Sequence, residues 1–120
     1  MTMLEILNLA AVLLSPLFAV QVTVGLDKRK QTIAARRALF QTLMMTRDAW
    51  LSPEHVRALN AIPIEFHGVK KAKAILESWR AYMAHLHLPP VVGEAQQVAW
   101  GQKRTDLFVK LVHAMATYFE

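Results

Sequence analysis

Five histidines and one Ser-Pro-Glu-His run are the residues of this chain whose types could do chemistry. A zinc site needs three or four convergent imidazole, carboxylate or thiolate ligands. The chain has no cysteine, and His55, His67 and His113 stand in separate segments. His85 and His87 are two apart, so a helix points them to different sides. No His-Glu-x-x-His pattern occurs. Among possible nucleophiles, Ser52 precedes Pro53 and reads as a helix N-cap, Ser15 lies in an apolar run and Ser78 in a helical pattern. Glu54 and His55 are adjacent and diverge by about 100° on a helix, too far apart for joint acid-base work. The four glycines stand singly at 25, 68, 93 and 101, so no phosphate-cradling loop is formed. The expectation is a protein with no catalytic, cofactor-binding or metal residue, not an enzyme, whose histidines sit at the surface or its boundary.

The elements are more informative than the side chains. Residues 6–26, ILNLAAVLLSPLFAVQVTVGL, hold fifteen apolar residues in twenty-one and no charge. At about 1.5 Å per residue a helix of this length reaches the ~30 Å of a bilayer's hydrocarbon core. This reads as a transmembrane helix, kinked near residues 12–16 by Pro16, with Asn8, Ser15 and Thr23 able to share a face. Glu5 is the one charge before it, whereas Lys28, Arg29, Lys30, Arg36 and Arg37 follow it with Asp27. Those five cations are the membrane-surface and orientation residues. Positive charge stays inside, which places the N-terminus outside and the rest in the cytoplasm of a bacterium, anchored in the inner membrane by a single pass. The acid before the run and the charge after it do not suit a signal peptide.

Residues 1–27 are thus an anchor and 28–120 one cytoplasmic domain, large enough for a single modest core. The fold class is all-α, an N-terminal transmembrane helix and then a small bundle of about four helices. The first carries an apolar stripe of Ile33, Leu39, Phe40, Leu43, Met44 and Trp50. A second starts at the Ser52 cap with Pro53 and Glu54 in its first turn and should stop near Ala61, ahead of Pro63. Ile62 to Gly68 alternates like a strand with no partner and reads as an extended connector. Val69 to Leu86 has the clearest period, with Ala72, Ile75, Leu76, Trp79, Tyr82, Met83 and Leu86 on one face. Trp79 is expected to anchor the core. Lys70, Lys71 and Lys73 oppose the dipole at that helix's start and are either solvated or serve a contact. After the turn Leu88 to Gly93, a last helix from about Glu94 to Phe119 buries Val98, Leu107, Phe108, Leu111, Val112, Met115 and Phe119.

The stretches ILNLAAVLLSPLFAVQVTV, LMMTRDAWLSPEHVRALNAIPIEFHG and DLFVKLVHAMATYF, with the helix of Trp79 and Tyr82, resemble a group of small uncharacterised bacterial and phage proteins, a domain of unknown function. The resemblance implies an N-terminal membrane helix before a cytoplasmic helical domain, and no site residue.

Composition narrows the partners. The net charge of +5 is concentrated just after the apolar run, so topology accounts for it and nucleic acid is not expected. The expected function is a membrane-anchored protein-protein interaction module with an unknown protein partner. A homo-oligomer would cover Trp50, Trp100 and Tyr118 and pair the polar groups of the span. The alternative is a soluble homo-oligomeric helical protein, such as a phage-type inhibitor of a host protein, with residues 6–26 buried in its core.

Overall fold

A computed structural model describes the backbone of residues 2–120 and the side chains of residues 2–5 and 27–120. It is all-α, with no strand among the described residues. Helix α1 is Met3–Met45, α2 Pro53–Glu65, α3 Lys73–Leu86 and α4 Glu94–Tyr118, and a 3-10 turn, Lys70–Ala72, leads into α3. The chain divides into two compact units, Met1–Ala34 and Ala35–Glu120.

In the first unit Thr2 and Glu5 cap each other, the Thr2 N–H donating to Glu5 Oε2 at 3.1 Å and the Glu5 N–H to Thr2 Oγ1 at 3.3 Å. That reciprocal pair satisfies donors that the start of α1 leaves free. Among the described residues no helix is long and apolar enough to cross a membrane. The backbone is helical through Pro16, but the expected span rests on the side chains of residues 6–26, and these, with the shared face of Asn8, Ser15 and Thr23, lie outside the described ones.

The second unit is a bundle built from the end of α1 and helices α2, α3 and α4. Leu43, Leu59, Ile62, Phe66, Ile75, Tyr82, Leu111 and Met115 are its buried centre, and Leu39, Phe40, Trp79 and Leu107 pack around them. On α4 the buried Phe108, Leu111 and Met115 recur at three and four residues, the spacing of one helical face. Val98, expected on that face, is 57% exposed, because it lies beyond the part of α4 that the core covers.

Helix α2 starts as its sequence requires. Ser52 Oγ accepts from the His55 N–H at 3.3 Å, and Pro53 follows at the first helical position, where its missing N–H is not needed. Its end is a correction. The helix runs through Pro63 to Glu65, so Ile62 to Glu65 is helical and not an extended connector. An internal proline costs ~3 kcal/mol, partly because the carbonyl four residues earlier loses its donor. Here that carbonyl is Leu59 O, and the Trp79 indole Nε1–H donates to it at 2.8 Å. Helical spacing buries both Ile62 and Phe66 and leaves Ile64 76% exposed, whereas alternation would have put all three on one face. Gly68 then turns the chain at φ 71°, a left-handed conformation that glycine adopts without strain.

Candidate functional site

Two of the five histidines are core residues, contrary to the expectation that all five are superficial. His55 is fully buried and His85 is 5% exposed. His55 sits on α2 one turn before Ala58 and Leu59, and His85 on α3 one turn after Tyr82, so each shares its helix's buried stripe.

Their surroundings fix their tautomers. The Thr46 hydroxyl lies 2.6 Å from Thr42 O, to which it donates, so its lone pair receives the His55 Nδ1–H at 2.8 Å. His55 Nε2 is therefore the bare nitrogen, and it has no hydrogen-bond partner among the described residues. His85 takes the opposite tautomer: its Nε2–H donates to Trp100 O at 2.9 Å, which leaves Nδ1 bare, buried and unpartnered. The ring of His85 stacks on Trp100 at 4.8 Å, and that of His55 packs on Phe108 at 5.5 Å. Tyr82 meets Phe108 from another side at 5.7 Å, and its buried hydroxyl is the third unpartnered polar atom of the domain's described residues.

Arg104 is the cation of this centre. Its guanidinium lies 4.6 Å from the centroid of the Trp50 ring, which in turn packs on Trp100 at 5.9 Å. Burial lowers the pKa of His55, and the positive charge of Arg104 lowers it further. Burial raises the Tyr82 phenol, an effect that Arg104 opposes without reaching hydrogen-bonding geometry. The result is a neutral imidazole in the core beside a permanent cation. Among the described residues no three histidines or carboxylates could hold a metal ion.

The five cations named as membrane-surface residues separate in the structure. Lys28, Arg29 and Lys30 are exposed on α1 in the first unit. Arg36 belongs to the second and is half-buried there: its Nε–H donates to Glu65 O at 2.9 Å, its Nη1 to the Tyr118 hydroxyl at 2.9 Å, and its guanidinium lies 5.5 Å from the Phe66 ring. Glu65 O is among the last carbonyls of α2, which have no helical donor, so Arg36 caps that helix. Arg37 is exposed, its guanidinium 5.8 Å from the Phe119 ring.

The domain's surface carries two grooves around the lysines at the start of α3. One, of about 450 Å³, is lined by Val69, Lys70, Lys73, Leu76, Glu77 and Arg80. The other, of about 630 Å³, lies between α3 and α4, with Lys71 and Lys110 on its two sides.

The described residues of the second unit thus form a short helical bundle with an apolar core that holds two histidines, and a grooved, basic surface. The chain belongs, over residues 1–120, to a family of unknown function, DUF6680. That membership agrees with the domain of unknown function expected from the sequence, and it assigns no residue a role. No curated protein and no solved structure matches the chain.

Proposed function

We propose that this protein is a single-pass, membrane-anchored helical module that presents its C-terminal domain to a protein partner, and that it is not an enzyme. Residues 6–26 cross the bacterial inner membrane in this reading, the N-terminus lies outside and the domain is cytoplasmic. The observation that carries it is the charge-free run of twenty-one residues followed by five cations within eleven positions. Exposure of Lys28, Arg29 and Lys30 is compatible with their lying at an anionic headgroup layer, worth about 1 kcal/mol per cation. Arg36 has a structural use as well, and so contributes less to that surface. The absence of cysteine suits a reducing compartment.

The aromatic motive for self-association is met in part within one chain, where Trp50, Trp100 and Tyr118 are half-buried. The first two pack on each other and on Arg104, the last on Phe66 at 5.2 Å. The polar groups of the span, Asn8, Ser15, Gln21 and Thr23, remain the other motive for a homo-oligomer.

Fractionation of cells expressing the full chain, with an alkaline carbonate wash, tests the anchor. The protein should stay in the membrane pellet. Its release into the supernatant would sink the anchor and favour a soluble assembly with residues 6–26 inside.

A further inference from the structure

Helices α3 and α4 run antiparallel: His85 meets Trp100 and Tyr82 meets Phe108 towards one end, and Lys71 comes opposite the last turns of α4 at the other. At that second end there is a groove lined by Lys71 of the 3-10 turn, Ala74 and Ser78 of α3, and Lys110, Ala114 and Thr117 of α4, with His113 and Tyr118 also bordering it. Ala74, Ser78, Ala114 and Thr117 are small and recur at three or four residues along each helix, so a third helix could approach both backbones closely. The volume of about 630 Å³ is room for several side chains.

The charge around this groove has a sign. Lys71 and Lys110 flank it and Glu120 is the one carboxylate lining it, while Lys70 and Lys73 belong to the neighbouring groove. Neither the 3-10 turn nor the first turn of α3 contains an acid, so three lysines stand where the helix dipole disfavours them. Positive charge kept at a cost to stability has a use when something negative arrives. A second copy of this chain does not supply it, because none of its helices carries two carboxylates on adjacent turns. A bilayer surface is flat and cannot reach the small side chains on a concave floor.

Resting on the reading of the domain as an interaction module, we propose that the α3–α4 groove is the docking site for an amphipathic helix of a partner protein, with small side chains on its buried stripe and carboxylates on its flanks. The small residues set how deep that helix lies, and Lys71 and Lys110 set its direction by pairing with those carboxylates.

The test uses the full chain in its host cells with the photo-reactive residue p-benzoylphenylalanine placed at the exposed Ala74, and in a second strain at Gln97, exposed near the start of α4. Illumination at position 74 should give one protein adduct whose linked peptide, read by mass spectrometry, is a helix-forming segment with Asp or Glu on its flank. That peptide, synthesised, should bind the purified full chain in detergent, and Lys71→Glu with Lys110→Glu should weaken it about tenfold or more without lowering the thermal melt, since a carboxylate at position 71 suits the helix dipole. Adducts only to lipid or to a second copy, or a linked peptide without acids, would overturn the groove assignment. A protein adduct at position 97 with none at 74 would leave the interaction module standing and remove the groove. No protein adduct at either position would remove both.

Discussion

The Trp79 indole donates to Leu59 O, the carbonyl that Pro63 deprives of its helical donor, so a residue of α3 completes the hydrogen bonding of α2. The two positions should therefore be energetically coupled. Trp79→Phe keeps most of the ring packing and leaves a carbonyl unsatisfied, which should cost about 1–3 kcal/mol by urea denaturation. In a Pro63→Ala background the new N–H at 63 can serve Leu59 O, and the cost of Trp79→Phe should shrink. Equal costs in the two backgrounds would show that the bond does not compensate the proline. Trp79 is half-buried, not enclosed, so Trp79→Ala should fall short of the ~3–5 kcal/mol of a fully buried large aromatic.

Arg36 and Arg37 are neighbours in sequence with different consequences. Arg36→Leu removes two charge-assisted hydrogen bonds and the cap of α2, and should cost about 1.5–3 kcal/mol. Arg37→Leu loses only an exposed contact with Phe119, worth about 0.5–1 kcal/mol. Parallel urea titrations of the two variants check the difference.

Acid should loosen the domain through His55. Its folded pKa lies below the model-compound value of 6.5, so the unfolded chain binds the proton more readily. The stability linked to His55 is complete above pH 6.5 and is lost as pH falls from there towards the folded pKa, by at most about 1.4 kcal/mol per pH unit. Replacing it, as in His55→Gln, should flatten that part of the stability-pH curve, and Arg104→Gln should narrow the sensitive window by removing the charge that helps to lower the pKa. A His55→Gln curve as steep as that of the parent would assign the acid sensitivity elsewhere.

The helices of the bundle were legible because their buried faces repeat at three and four residues and because Ser52-Pro53-Glu54 announces the start of α2. The end of α2 was not, since the group that rescues the proline's lost donor comes from Trp79, sixteen residues later in the chain. His55 and His85 were readable in part: each lies at helical spacing from apolar core residues, Ala58, Leu59 and Ile62 for one and Tyr82 for the other. Their residue type argued for the surface, and only the three-dimensional arrangement supplies Thr46 and Trp100 O as the partners that make burial tolerable. Arg36 was read with the cations around it, because nothing local distinguishes a guanidinium that reaches Glu65 and Tyr118 from one in solvent.

Cysteine accessibility tests the central claim most directly, since the chain has no cysteine and a single introduced thiol has no background within it. Thr2→Cys and Glu120→Cys variants are each treated in intact cells with a maleimide that cannot cross the inner membrane. The account predicts that position 2 is labelled in intact cells and position 120 only after lysis. Labelling of 120 in intact cells with protection of 2 would invert the topology, and protection of both until lysis would contradict a membrane-spanning segment.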